Sequence, residues 1–269
     1  MFGRKRVAVV VPAYNEERLI AEAVESVPPY VDHVVVVDDA STDRTPLVVA
    51  ELARRTRVTA VTHRRNRGVG GAILTGYRAA AALGCDLIAV MAGDAQMDPR
   101  DLGRLLAPVA AGRADYAKGD RLSWPGVFRA MPPVRFFGNH ALSLLTRLAC
   151  GYRQVRDSQC GYTAVSRAAL ERLDLGAVYA RYGFPNDLLA HLHSVGARLA
   201  QVTVRPIYGR ERSGISWFTA LVRVPLVLAR TWAAAVSLSK AFRSPAVEKT
   251  YVAVVAGKPP PVSGTVRYG

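Results

Sequence analysis

The sequence predicts an α/β fold with a mostly parallel central sheet and helices on both faces. Two observations carry this expectation. Four times within the first 110 residues a short, largely apolar run is followed by a segment with helical spacing, the alternation from which parallel sheets are built. The runs are also rich in β-branched residues, and the first, second and fourth contain no polar residue, as expected of strands covered on both faces.

Val7–Val11 is the first such strand, ended by Pro12, and Glu16–Val27 is the helix after it, closed by Pro28–Pro29. Val34–Val37 is the second strand, running out at Asp38–Asp39; Ser41 or Asp43 can cap a helix that reaches about Arg55. Val58–Thr62 and Gly71–Leu83 form the third pair, and Leu87–Met91 the fourth strand, ending at Gly93–Asp94. Asp98–Pro99 then supplies the N-cap and first position of a helix over Arg100–Ala110. Beyond this the pattern loosens: Tyr116–Lys118 and Leu199–Val204 read as strands, Arg135–Ala149 and Ser216–Leu238 as helices.

In such sheets ligands bind beyond the carboxyl ends of the strands. Three of those ends carry distinctive polar residues: Tyr14–Asn15–Glu16, Asp38–Asp39, and Asp94 with Gln96. Side chains from separate strands thus converge on one rim.

At 269 residues, half of them hydrophobic, the chain can bury one large domain with an appendage. Its three cysteines, Cys85, Cys150 and Cys160, show no CxxC spacing, which argues against a disulfide framework or a zinc site and suits a reducing cytoplasm. Met1–Arg6 leads straight into the first strand, so no signal peptide is expected. The net charge of +15 comes almost entirely from arginine, since only 5 of the 36 basic residues are lysine. Nucleic acid, anionic lipid headgroups and phosphorylated small molecules would all suit such a charge, as would a solvated arginine-rich surface. No recognition-helix motif or aromatic single-strand platform is present, so no nucleic acid is expected as a partner.

Four segments carry a family resemblance: VVVPAYNEE at 9–17, VVDDASTDRT at 36–45, NRGVGGAILTGY at 66–77 and AGDAQMDP at 92–99. In this order, each at a strand end, they resemble family 2 glycosyltransferases, in particular the branch of dolichyl- and polyprenyl-phosphate sugar synthases. The resemblance covers roughly residues 5–215. It implies a GT-A fold and an inverting transfer of a sugar from a nucleotide diphosphate donor, UDP- or GDP-linked, to a polyprenyl (or dolichyl) phosphate.

On this resemblance Asp94 is the metal ligand for Mg²⁺ or Mn²⁺, a Lewis acid on the diphosphate oxygens. The family's usual Asp-x-Asp has lost its first member to Ala92, leaving Gln96 and Asp98 to assist. Asp38 and Asp39 resemble the pair that holds base and ribose, with Pro12, Tyr14 and Glu16 lining that pocket; carboxylates suit the role as acceptors of base N–H and sugar hydroxyls. Gly68, Gly70 and Gly71 match neither common phosphate-loop spacing and are read as small residues that let a helix approach the sheet. Arg121, Arg135 and Asn139 resemble the phosphate-binding positions of the branch; an arginine fork donates two parallel hydrogen bonds to such an anion. DSQCGYTAV at 157–165 would organise the acceptor loop through Asp157 and Gln159. YGRERSGI at 208–215 resembles a segment that closes over the donor, bringing Arg210, Arg212 and Ser213 to the diphosphate.

A hydroxyl acceptor needs a carboxylate base, which Asp187 of Asn186–Asp187 can supply; a lipid phosphate needs none. Asp187 can equally be a helix N-terminal residue. The chain therefore divides into a transferase domain over 1–215, an amphipathic helix over 216–240 and a loosely attached tail over 241–269. Within the helix, Arg223 and Arg230 are seven apart and share a face, and with Pro225 they interrupt the apolar run. This suits a helix lying in a membrane interface better than one crossing it. Peripheral attachment to the cytoplasmic face of the plasma membrane is expected.

Overall fold

A computed structural model of the chain describes residues 2–207 apart from 56 and 182. Arg210, Arg212, Ser213, the 216–240 helix and the 241–269 tail lie outside the described residues.

The sheet has seven strands in the order β3-β2-β1-β4-β6-β5-β7. β1 (Val7–Ala13) is central and parallel to β2 (His33–Asp38) and β4 (Leu87–Val90), with β3 (Val58–Thr62) beyond β2. All seven residues of β1 are buried and alternate between two cores. Ala8 and Val10 face one core, with Val35 and Val37 of β2, α3 (Val69–Ala82) and α8 (Phe184–Ser194). Val7, Val9 and Val11 face the other, with α1 (Ile20–Glu25), α2 (Thr45–Leu52) and α4 (Leu102–Ala110). An unbroken apolar run is what a strand covered on both sides requires.

The expected strand–helix pairs are all present, with shifted ends. The stretch after Tyr14 enters α1 through a turn in which Glu16 O accepts from Leu19 N and Ile20 N. Asp43, one residue ahead of the α2 N-cap Arg44, accepts from Thr45 N at 2.9 Å, and Asp98 accepts from Arg100 N at 3.0 Å to open a 3-10 turn, Pro99–Asp101, before α4. The Thr163–Ser166 strand is not among the expected elements, and the Phe184–Ser194 helix follows the reading of Asp187 as a helix N-terminal residue. The strand, β6, runs antiparallel between β4 and β5 (Tyr116–Asp120), and β7 (Leu199–Thr203) closes the edge parallel to β5.

Gly76 explains how α3 comes so close to β1. A Cβ added there would lie 2.2 Å from Val10 Cγ1. Helix propensity alone favours alanine by up to about 1 kcal/mol, but overpacking a rigid valine costs about 1–3 kcal/mol. Gly76→Ala is therefore expected to lower the urea midpoint without changing the slope; a raised midpoint would refute this packing argument.

Candidate active site

The carboxyl ends of β1, β2 and β4 meet as expected. Asp39 N donates to Ala13 O at 2.9 Å and Gly93 N to Pro12 O at 3.2 Å, so the three exits are tied to one another. Each exit loop carries one non-glycine residue with positive φ: Asn15 at 57°, Ala40 at 61° and Ala95 at 57°. Asparagine tolerates this region, but alanine in it costs on the order of 1 kcal/mol or more, a strain typical of sites where backbone shape matters.

The two aspartates at the end of β2 separate into different roles. Asp39 is 2% exposed and committed to the chain: Oδ1 bonds His63 Nδ1 at 2.6 Å and accepts from Arg67 N, while Oδ2 accepts from Gly68 N. His63 Nε2 in turn reaches Thr75 Oγ1 at 2.9 Å. Asp39 thus anchors the start of α3. Asp38, fully buried, accepts from Ser41 N through Oδ1, but its Oδ2 is buried with no hydrogen-bond partner. An orphaned buried carboxylate oxygen is costly unless a ligand donor completes it. Pro12 is buried beside this oxygen's strand end, Tyr14 is exposed and Glu16 half-buried.

Gly70 sits where a Cβ would meet Ala180 O at 2.6 Å and the Phe184 ring at 2.7 Å. The glycines of this segment thus serve close approach, and the neighbours that Gly70 meets are Ala180 and the Phe184 ring at the start of α8 rather than the sheet.

Asp94 stands at the mouth of a cleft of about 330 Å³. Its Oδ1 accepts from Gln96 N at 3.1 Å, which holds the turn after β4. Asp98 is buried and bound by Arg100 through both oxygens, at 2.9 and 2.7 Å, so it shapes the turn and does not line the cleft. Glu16 is near enough to Asp94 to feel it: burial first, then the charges of Asp94 and Asp43, push its carboxyl up to about 7. Two carboxylates that resist joint ionisation form a donor set that a divalent cation relieves. Among the described residues no three His, Cys, Asp or Glu side chains converge to hold a metal alone.

The walls of the cleft come from the second half of the chain. Lys118 and Arg121, at the end of β5, line it together with Gln159, Tyr162, Phe184 and Arg205. Asp157, with no exposed side-chain surface, grips Arg121 through two parallel bonds, Nε to Oδ2 at 2.7 Å and NH2 to Oδ1 at 3.0 Å. Burial opposes ionisation of Asp157, but the Arg121 charge and hydrogen bonds, helped by Lys118, hold its carboxyl below the usual carboxylate range. Lys118 is itself fully buried, donates Nζ–H to Cys160 O, and is pushed down by desolvation. Met97 bridges to Pro206, and Arg205 N donates to Asp101 Oδ2 at 2.7 Å, bringing the end of the described chain across the rim.

Not every expected residue reaches this cleft. Arg135 and Asn139 lie on α6 (Pro133–Cys150), outside its lining; Asn139 Nδ2 donates weakly to Met131 Sδ at 3.7 Å. Asp187 is in the first turn of α8, where its Oδ2 accepts from Tyr179 N at 2.8 Å and lies 3.5 Å from His191. From α8 it is Phe184 and Pro185 that line the cleft. Sequence reasoning missed Lys118 and Arg205 as site residues. A lysine in a chain where only 5 of the 36 basic residues are lysine is a signal for the first; nothing local marks the second.

An open α/β sheet with an orphaned carboxylate at one strand end and a cation-lined cleft beside another is the ligand-binding rim of a GT-A fold. Comparison with known proteins agrees. The model of "Glycosyl transferase family 2" matches residues 8–174. The UDP-N-acetylglucosamine–dolichyl-phosphate N-acetylglucosaminyltransferase of Methanococcus voltae is 32% identical over 218 residues, 76% of this chain and 86% of that one. The polyprenol monophosphomannose synthase of Mycolicibacterium smegmatis is 34% identical over 219 residues, covering 79% and 80%. Glucosyl-3-phosphoglycerate synthase from Mycobacterium tuberculosis, solved with Mn²⁺, UDP and glucosyl-3-phosphoglycerate, shares the fold. Its TM-score is 0.64 at 24% identity over 86% of this chain and 81% of that one. The chain belongs to glycosyl transferase family 2 and is a glycosyltransferase.

Proposed function

We propose that this enzyme transfers a sugar from a nucleotide diphosphate to a polyprenyl-type lipid phosphate, with inversion at the anomeric carbon. The observation that carries the acceptor is the charge of the cleft. Two guanidinium groups, Arg121 held by Asp157 and Arg205, line it with the buried Lys118 in the wall behind them, and Asp94 is its one lining carboxylate among the described residues. A phosphate acceptor suits such walls and needs no base, whereas a hydroxyl acceptor requires a carboxylate to take its proton. The curated relatives named for lipid-phosphate acceptors support the same reading.

The donor base and ribose would complete the orphaned Oδ2 of Asp38, with Pro12, Tyr14 and Glu16 around them. The residues fit a divalent cation, Mg²⁺ or Mn²⁺, at Asp94 with Glu16 beside it and the remaining ligands from the diphosphate. Such an ion would neutralise the charge that grows on the leaving diphosphate. Arg121, oriented by Asp157, and Arg205 would hold phosphate oxygens while an acceptor oxygen attacks the anomeric carbon. The new C–O bond forms as the bond to the β-phosphate breaks, and the nucleotide departs with the electron pair. Arg135, Asn139, Arg210, Arg212 and Ser213 remain proposed phosphate contacts of the same reaction. The enzyme would work as a peripheral protein on the cytoplasmic membrane face; among the described residues no helix is long and apolar enough to cross a bilayer.

The test is transfer from UDP- and GDP-sugars, with Mg²⁺ or Mn²⁺, to a short-chain polyprenyl phosphate and to the matching polyprenol. Product from the phosphate alone, with Asp187→Asn still active, is the expected result. Transfer to the alcohol that Asp187→Asn abolishes would overturn the acceptor assignment. A second prediction separates the aspartates of β2. Asp38→Ala is expected to abolish the donor-induced thermal shift while leaving the melting temperature of the free protein near wild type, because it loses one long bond from Ser41 N at 3.2 Å and relieves a buried, unpartnered Oδ2. Asp39→Ala, which strips three bonds from the α3 start, is expected to lower that temperature. The reverse pattern would refute the division of roles.

A further inference from the structure

Helix α6 is turned inside out. Its inward face is polar: Ser143 and Thr146 are fully buried. Ser143 Oγ accepts from Ser158 N at 3.0 Å, and Thr146 Oγ1 donates to Asn186 Oδ1 at 3.0 Å. Its outward face is apolar, with Phe137 69%, Leu144 56% and Leu148 69% exposed. At about 100° per residue these three fall on one strip with the small, exposed Ala141. Phe128, 74% exposed on the neighbouring α5 (Val127–Ala130), stacks on Phe136 at 4.5 Å and adds to the strip. Half of the ten large exposed hydrophobics among the described residues lie within 128–148. This is a patch rather than ordinary scatter.

The flank of the strip is basic. His140 and Arg147, one turn-step round the helix, line a second pocket of about 350 Å³ with Arg153, Arg156 and Ser123. Arg147 Nε donates to Val155 O, and Arg156 lies 4.0 Å from Asp120, whose carboxylate is the only one close to these arginines among the described ion pairs. Three guanidinium groups beside an apolar strip, on a chain of net charge +15, match an anionic lipid surface. Lipid tails take the strip and headgroup phosphates the pocket.

We propose that α6 lies in the plane of an anionic membrane, with Phe128, Phe137, Leu144 and Leu148 at the acyl boundary. The Arg147–Arg153–Arg156 pocket then holds a lipid phosphate headgroup. This deepens the lipid-acceptor reading by naming the face that meets the bilayer, and it is measured without turnover, so the two can fail separately.

The experiment uses the full chain and vesicles of phosphatidylcholine alone or mixed with phosphatidylglycerol. Co-sedimentation with the anionic vesicles is expected. Arg153→Gln with Arg156→Gln should weaken it by roughly tenfold or more, and Phe137→Ser with Leu144→Ser should remove it. All four positions are exposed or pocket-lining, and an unchanged donor-induced thermal shift checks that each variant is folded. The three native cysteines are buried, so Leu144→Cys offers one accessible thiol for maleimide labelling. Fast labelling in solution and protection by anionic vesicles support docking. Equal sedimentation of wild type and variants overturns it. A thiol already protected without lipid also overturns it, by showing the strip covered by residues 208–269 or by a second copy.

Discussion

Replacing Asp94 with asparagine is expected to lower the transfer rate by roughly 10²–10³ while leaving the fold intact, the usual loss when one preorganised electrostatic contact to a leaving group is removed. Three observations motivate the size. Asp94 is the only carboxylate lining the cleft among the described residues, the family's other aspartate is replaced by Ala92, and Glu16 carries a raised pKa at the same place. Glu16, the nearby carboxylate that the Asp94 charge reaches, does not line the cleft and cannot take its place there. The effect should fall on kcat more than on donor affinity, since the charge to be stabilised is largest when the glycosidic bond is breaking. Steady-state kinetics with saturating Mg²⁺ or Mn²⁺ measure it. A variant retaining more than about a tenth of wild-type kcat, a loss below the range for such contacts, would remove Asp94 from the centre of the site.

Asp157→Ala is expected to be the most damaging single change to stability. Asp157 is fully buried, accepts both arms of Arg121, and also takes Arg121 N and Gln159 N. Truncating one partner of a buried pair costs about 3–5 kcal/mol, because the surviving charge loses its compensation inside the protein. Here Lys118, fully buried and pushed down by desolvation, aggravates the loss. For a chain of this size that corresponds to a fall of roughly 6–20 °C in melting temperature. The pH dependence has a definite sign. The folded carboxyl lies below its ordinary value, so its contribution is complete above the unfolded pKa of about 4 and disappears as pH falls through the folded pKa. The variant should therefore lose less stability than wild type on acidification in that window. A melting temperature unchanged at neutral pH, or an identical acid limb, would contradict this account.

Much of the site is legible in the amino-acid order, because each motif sits where an apolar run stops. A buried strand must end where polar groups begin, so Asp38 and Asp94 mark both the strand ends and the rim. The antiparallel strand is not legible in this way, because Thr163–Ser166 is four residues long and half polar, and its neighbours pair with it from far away in the chain. The division of labour between Asp38 and Asp39 is equally hidden. Adjacent in sequence, they differ only in that His63, Arg67 and Gly68 arrive beside one of them.

The sequence by itself determined the alternating sheet, the family's motifs and the convergence of three acidic strand ends, since local periodicity and composition dictate which runs are buried. Tertiary structure decided the rest. It brought Glu16 to Asp94, Asp157 to Arg121 and Lys118 into the cleft wall, and it left Asp187 against Tyr179 instead of in the cleft. It also decided which face of α6 is turned outward. Helical periodicity fixes which residues share a stripe, but only the partners Ser158 and Asn186 made the polar stripe the buried one. Side-chain spacing is a local property, whereas desolvation and charge pairing depend on what distant segments bring near.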